Sequence, residues 1–271
     1  MKLWKMSGSG NDFVFFRLEG HEDRLVEARL HDPAFVRAVC APHTGIGADG
    51  IAILQPSATQ DFKLVYFNRD GSLGELCGNA SLCATRLATE LAIANPDGLS
   101  FETEAGVIHA RLRSERPEID LQPPTGLRPD AGIGRGSGEI RIGFVNTGVP
   151  HLVVRAADTS GVDLKGRGPE LRFHESLRAG ANVNWIAPEA DGEWSMRTFE
   201  RGVEAETLAC GTGAVACAVM LQAWGESAEQ TRIRTRSGRL LTVTLRIRDG
   251  QTIPSLSGEG RIVFDGTLRE L

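Results

Sequence analysis

The sequence predicts a mixed helix-and-strand protein built from two similar halves, and three observations carry that expectation. One short motif occurs twice, about half the chain apart. Leu76-Cys77-Gly78-Asn79-Ala80 opens one small-residue, helix-like run, and Ala209-Cys210-Gly211-Thr212-Gly213 opens another. A strand-like stretch precedes each motif at a similar distance, residues 62–67 before the first and 194–200 before the second. Between the halves, residues 122–139 are rich in Pro, Gly and Asp with little apolar pattern, which reads as a linker. The period is too long for a solenoid, so two fused pseudo-repeats fit better.

Each element has a local reason. Phe13-Val14-Phe15-Phe16 follows the Gly-rich turn Gly8-Ser9-Gly10-Asn11-Asp12 and is a strand of aromatic and β-branched residues. Residues 51–54 and 62–67 are strands, the second partly alternating polar and apolar. The turn Asn68-Arg69-Asp70-Gly71-Ser72 leads to the first Cys-Gly helix, which runs to about residue 94, where Asn95-Pro96-Asp97-Gly98 stops it. Strands follow at 99–103, 107–113 and 119–121. In the second half, residues 143–145 form a short strand, and Thr147-Gly148-Val149-Pro150-His151 turns into the strand 152–154, much as the Gly-rich turn feeds Phe13. Residues 183–187 and 194–200 are strands before the second Cys-Gly helix. Strand pieces at 233–235, 240–247 and 261–264 close the chain.

Composition narrows the function. The chain has 271 residues, 41% hydrophobic and 24% charged, ordinary for a globular protein with a core. The net charge is −5, with no basic stripe, so nucleic acid is not an expected partner. No apolar run approaches the roughly 20 residues that cross a bilayer, and the N-terminus turns polar too quickly for a signal peptide. A cytoplasmic location is expected. The five cysteines are an odd number, which points to thiols rather than a disulfide framework.

The chemistry centres on Cys77 and Cys210. A cysteine at a helix start is readily made reactive, because the first-turn amides stabilise a thiolate. Each is followed by Gly, which lets a ligand approach the backbone, and then by a polar residue, Asn79 or Thr212. Cys83 and Cys217 fall inside the helices and read as buried small hydrophobes. The first-turn amides of both helices favour an anion, for which a carboxylate is the natural guest. They would also stabilise charge when a proton leaves the carbon beside that carboxylate. The expected reaction class is therefore proton abstraction alpha to a carboxylate.

Rival chemistries fit less well. The cysteine spacings are not those of zinc sites, and no His-x-x-x-His pair exists. Gly45-Ile46-Gly47-Ala48-Asp49-Gly50 matches a dinucleotide-binding pattern literally, but it follows Ala41-Pro42-His43-Thr44 and runs into a strand, so a turn is expected there. Pyridoxal phosphate needs a Schiff-base lysine, and none of Lys2, Lys5, Lys63 and Lys165 sits in a phosphate-binding context. No cofactor is expected.

Several blocks, in order, resemble the diaminopimelate epimerase family over nearly the whole chain. They are Lys5-Met6-Ser7-Gly8-Ser9-Gly10-Asn11-Asp12-Phe13, Phe67-Asn68-Arg69-Asp70-Gly71-Ser72, Cys77-Gly78-Asn79, Gly148-Val149-Pro150-His151, Asn182-Val183-Asn184, Glu200-Arg201-Gly202 and Ala209-Cys210-Gly211-Thr212-Gly213. The resemblance implies an α+β fold of two pseudo-symmetric domains, each a curled, mostly antiparallel sheet around a central helix. The expected domains are 1–122 with 262–271, and 123–261, so that the C-terminal strand returns to the first. It implies that Cys77 and Cys210 are an acid/base pair, with His151 paired to Cys77 and Glu200 to Cys210. Gly78, Asn79, Gly211 and Thr212 are implied to hold the reacting carboxylate. Asn11, Asn68, Asn184, Glu200 and Arg201 are implied to contact the substrate; a guanidinium suits a carboxylate because it binds in bidentate fashion. A homodimer is also implied.

Five positions in three places depart from the family pattern. Val149 stands where an Asn is usual, Gly50 where a Gln is usual, and Ala80, Ser81 and Leu82 alter the first helix. The acid/base machinery is untouched, but a lost polar contact bears on substrate choice. The expected function is cofactor-independent epimerisation of LL-2,6-diaminopimelate to the meso form. A racemase of the same fold for another amino acid, and a non-catalytic small-molecule binder, are the alternatives.

Overall fold

Short β-branched and aromatic runs punctuated by Gly, Asn and Pro build most of the chain into strands. The computed structural model describes residues 1–20 and 24–270. It divides into two units, Met1–Ile119 with Ser257–Leu271, and Asp120–Leu256. The sequence reading places these divisions a few residues later, after 122 and after 261.

In the first unit β1 (Lys2–Gly8) and β2 (Asn11–Arg17) form an antiparallel hairpin with Met6 opposite Phe13. Helices α1 (Arg24–Leu30) and α2 (Pro33–Cys40) lead to β3 (Gly50–Gln55), which runs parallel to β2. β4 (Phe62–Asn68) returns antiparallel to β3, and β5 (Leu73–Gly74) pairs on β4. After α3 (Gly78–Glu90), β6 (Leu99–Thr103) lies parallel to β4, and β7 (Gly106–Arg113) and β8 (Arg116–Asp120) continue antiparallel.

The second unit repeats this order. β9 (Thr125–Arg128) pairs with β10 (Glu139–Asn146), which forms a hairpin with β11 (Pro150–Ala156). Helix α4 (Leu164–Arg172) leads to β12 (Asn182–Pro188), parallel to β11. β13 (Trp194–Glu200) is antiparallel to β12 and carries β14 (Ala205–Thr207). Then come α5 (Gly211–Ala223), β15 (Gln230–Arg234) parallel to β13, β16 (Leu240–Arg248) antiparallel to β15, and β17 (Gln251–Ser257). Finally β18 (Arg261–Thr267) pairs antiparallel with β1 in the first unit. Hairpin, parallel crossover, antiparallel return, short added strand, Cys-Gly helix and second parallel strand therefore recur in the same sequence. This is the α+β fold of two related units that the resemblance implies.

Each Cys-Gly helix is wrapped by strands of its own unit. α5 touches β10, β11, β12, β15 and β16 and buries every residue from Gly213 to Leu221. A helix apolar all round has no face for water, which fits a central position. α3 touches β1, β3, β4, β7 and β18. In the first unit, Val14, Phe16, Ile51, Ile53, Val65 and Phe67 form a cluster with Phe35, Val36 and Val39 of α2. Strand alternation sends their neighbours to the opposite face. Each such side chain, fully buried, contributes about 1.5–3 kcal/mol.

Two crossover helices go beyond the sequence expectation. α2 has a legible start: Asp32 caps Ala34 N at 2.8 Å and Pro33 opens the first turn. α4 contains Gly166, Gly168 and Pro169 and is a poor helix by propensity. It persists because Asp163 caps Gly166 N at 3.0 Å and because Gly168 fits against the ring of Phe199. The stretch 122–139, expected as a linker, is packed onto the second unit instead. It contributes β9, Ile133 enters the core, Ala131 N donates to Ile142 O at 2.8 Å, and the Trp224 indole donates to Pro129 O at 2.9 Å.

Candidate active site

Both cysteines occupy the same local geometry. Cys77 is the N-cap of α3 with φ −125° and ψ 112°, and Cys210 is the N-cap of α5 with φ −133° and ψ 111°. Each carbonyl accepts the first intrahelical bond, from Ser81 N at 2.9 Å and from Ala214 N at 3.0 Å. Their sulfurs differ. Cys210 Sγ accepts from Gly213 N at 3.3 Å, whereas the Cys77 sulfur does not cap its helix. First-turn amides lack intrahelical partners and sit at the positive end of the helix dipole, so each unit offers an anion-binding turn beside a sulfur.

Deeper in the same helices, Cys83 and Cys217 are fully buried, and burial pushes both thiols well above the ordinary range. Cys40 of α2 is pushed up to about 11, mainly by burial. These three are inert packing thiols.

In the first unit, Asn11, Asn68, Gly78 and Asn79 gather at one end of the sheet. Asn79 Nδ2 donates to Asn11 Oδ1 at 2.7 Å, and Asn11 Nδ2 donates to Asp49 Oδ2 at 3.0 Å. Asp49 Oδ2 also accepts from Asp12 N at 3.2 Å, and Asp12 pairs with Lys5, whose ammonium also donates to Gly47 O. The Gly45–Gly50 segment is thus a turn pinned to the site and running into β3. Asn79 Oδ1 is buried and has no hydrogen-bond partner among the described residues. Asn68, the last residue of β4, donates to Ser72 Oγ at 3.0 Å.

Gly50 is closed to any side chain. An added Cβ would lie 2.5 Å from Phe67 O and 2.7 Å from Tyr66 Cε2. A Cβ on Gly74 would lie 2.5 Å from Tyr66 Cδ1. The Tyr66 ring therefore rests between two bare glycines, edge-on to Phe13 at 6.0 Å between centroids.

In the second unit, His151, Asn184, Glu200, Arg201, Gly211 and Thr212 gather at the corresponding end. The β10–β11 turn, in which Gly148 has φ +102°, is tied to α5 by Thr147 Oγ1 donating to Thr212 O at 3.0 Å. Glu200, the last residue of β13, stands where Asn68 stands on β4, and Thr207 Oγ1 donates to its Oε2 at 2.7 Å. Arg201 N donates to Asn182 Oδ1 at 2.8 Å, and Arg201 Nη1 reaches Ala179 O at 3.4 Å. Val149 is half-buried and its carbonyl accepts from Thr147 N at 3.2 Å.

Asn184 differs from the expectation of a substrate contact. It is fully buried, with Nδ2 3.0 Å from His151 Nδ1 and 3.1 Å from Leu152 O, and Oδ1 accepting from Thr198 Oγ1 at 3.0 Å. Those partners commit the amide to the protein. Thr198, Thr147 and Asp49 also support the site, although no role follows for them from the sequence; of the residues lying against Asn184, Gly213 belongs to the second Cys-Gly motif and Thr198 comes from β13.

His151 is fully buried, and burial, with a smaller push from the Arg201 cation, holds its pKa down at about 3. An imidazole in the unfolded chain titrates near about 6.5. Below that value the unfolded chain binds a proton that the folded chain refuses, so stability falls as pH drops toward the folded pKa and is unaffected above about 6.5. We expect His151→Gln to show a shallower loss of Tm between about pH 6.5 and about pH 4 than the parent protein. Parallel acid limbs would contradict the buried neutral ring.

The sequence model of the family described as Diaminopimelate epimerase matches residues 3–125 and 143–263. A protein of Gemmatimonas aurantiaca named Diaminopimelate epimerase is 46% identical, with 100% of both chains covered. One of Aquifex aeolicus with the same name is 42% identical, covering 100% of this chain and 98% of its own. Among solved structures, a Bacillus anthracis phenazine biosynthesis protein of the PhzF family has TM-score 0.74 at 13% identity, covering 100% of this chain and 99% of its own. A hydroxyproline epimerase from Agrobacterium vitis has TM-score 0.69 at 19% identity, covering 98% of this chain and 91% of its own. The structural likenesses establish the fold, and the full-length sequence matches establish the lineage: the chain belongs to the diaminopimelate epimerase family.

Proposed function

We propose that this protein interconverts LL- and meso-2,6-diaminopimelate without a cofactor, in the cytoplasm. One observation carries the reading: a chain matched over its full length to relatives bearing that name holds two cysteines at two helix starts of the same local geometry. In this mechanism the thiolate of one cysteine removes the α-hydrogen as a proton. The electron pair left behind spreads into the α-carboxylate, whose added charge the first-turn amides stabilise. The thiol of the other cysteine delivers a proton to the opposite side of the carbon and becomes a thiolate. One proton is taken and one given, and the roles reverse for the other stereoisomer. His151 and Glu200 set the state of the thiols, and Asn11, Asn68 and Arg201 hold the substrate.

A racemase acting on another amino acid is the second reading. It is favoured by Val149 and by Gly50, where Tyr66 and the Phe67 carbonyl leave no room for a polar side chain. Incubation in D₂O with diaminopimelate isomers, and separately with a panel of common L-amino acids, decides between them. Deuterium at the α-carbon of diaminopimelate, with loss of stereochemical purity, is the expected result. Exchange confined to another amino acid would establish the second reading, and exchange with none would leave a binding protein.

A further inference from the structure

We propose that Asn184 is a positioning residue that locks the His151 imidazole in the Nε2–H tautomer, so that His151 serves the reaction as a fixed hydrogen-bond donor and not as a base. Its place in the reaction rests on the function proposed above; the tautomer itself does not.

The hydrogen-bond partners fix the assignment. Leu152 O, 3.1 Å from the Asn184 amide, is a carbonyl and only accepts. The atom facing it must therefore be the amide nitrogen, because the flipped amide would set two acceptors against each other in a fully buried position. Thr198 Oγ1, 3.0 Å away, is satisfied by donating to the amide oxygen. Nδ2 has two hydrogens. One goes to Leu152 O, and the other points at His151 Nδ1 at 3.0 Å. Nδ1 must then accept through its lone pair, and a neutral ring carries its one proton on Nε2.

Nε2 is the second observation. It is buried, in a residue with no exposed surface, and has no hydrogen-bond partner among the described residues. An unused buried donor is costly, of order 1–3 kcal/mol, so this one calls for an acceptor that the described residues do not supply. The amide cannot drift, since Gly213 of α5 presses on its oxygen: a Cβ there would sit 2.3 Å from Asn184 Oδ1 and 3.2 Å from Cys210 Sγ. The fully buried ring beside the Arg201 cation also resists taking a second proton. A ring already protonated on Nε2 cannot relieve a thiol of its proton. It can only hydrogen-bond to a negative charge and lower its energy.

The test uses full-length protein labelled with ¹⁵N-histidine and long-range ¹H–¹⁵N correlation, with the His151 signals identified by their loss in His151→Gln. We expect a proton on Nε2 and a lone pair on Nδ1, unchanged from about pH 5.5 to about pH 9. A proton on Nδ1, or an imidazolium within that range, would overturn the assignment. In Asn184→Asp the new carboxyl has at most one hydrogen where the amide has two; Leu152 O takes it, and Nδ1, left facing an acceptor, draws the ring proton. We expect the tautomer to reverse and kcat to fall at least about 100-fold with KM changed by less than about 3-fold, as for other wrongly protonated catalytic histidines. Parental turnover in that variant, or an unreversed tautomer, would also sink the proposal. If Asn184→Asp does not fold, the spectrum of the unsubstituted protein decides alone. If that spectrum shows Nε2–H while no diaminopimelate isomer turns over, the functional reading fails and the tautomer assignment stands.

Discussion

Cys77→Ala and Cys210→Ala each lower kcat for epimerisation at least about 10³-fold, as removal of an essential proton-transfer group does. They do so at different structural cost. Cys210 Sγ caps Gly213 N at 3.3 Å, so its loss removes a cap as well as a thiol, about 1 kcal/mol. The Cys77 sulfur does not cap α3, so Cys77→Ala should melt closer to the parent. Isotope exchange separates the two thiols further. A variant that keeps one thiolate can still remove and return a proton on one side of the carbon. It should therefore exchange deuterium into one stereoisomer with retention, and the other variant into the opposite one. Full epimerisation in either variant would end the paired-thiol mechanism. Exchange with inversion in both would mean that water or another group delivers the second proton.

The repeat was legible because its carriers are local. A Cys-Gly pair at a helix start, with a strand shortly before it, needs no knowledge of tertiary contacts, and α3 and α5 begin one residue after those cysteines. The hairpin turns at Gly10 and Gly148, with φ +114° and +102°, were equally local. What the sequence did not show were elements held by partners distant in the chain. α4 has Gly and Pro where helices avoid them and exists because Phe199 covers Gly168. Residues 122–139 lack periodicity, yet Trp224 and Ile142 hold them to the second unit. At the site, the residue types were legible and their partners were not. The resemblance implies that Asn184 contacts the substrate; only the crossing of β11, β12 and α5 shows that its amide is spent on His151, Leu152 and Thr198. The loss of a side chain at Gly50 likewise acquires a reason only when Tyr66 is seen over it.

Gly213→Ala should both destabilise the protein and silence it, against the usual sign for such a change. Replacing Gly by Ala inside a helix normally adds up to about 1 kcal/mol through backbone entropy. Here the new Cβ would sit 2.3 Å from Asn184 Oδ1, far inside contact distance. The amide has nowhere to retreat, being fully buried and bonded to Leu152 O, Thr198 Oγ1 and His151 Nδ1. Either the first turn of α5 moves, carrying Cys210 and its amides out of place, or the amide leaves its partners. Overpacking costs about 1–3 kcal/mol, and a stranded buried polar group costs about 1–3 kcal/mol more. The clash therefore outweighs the helix gain, and we expect a net loss of about 2–4 kcal/mol in chemical denaturation with kcat down at least about 100-fold. The double variant Gly213→Ala/Asn184→Ala identifies the cause. With the amide gone the methyl has room, so the double variant should lose less stability than the two single changes summed, while activity stays low. Strict additivity, or a Gly213→Ala protein as stable as its parent, would show that the Asn184 amide does not lie against the first turn of α5, and the link between that helix and His151 would fall with it.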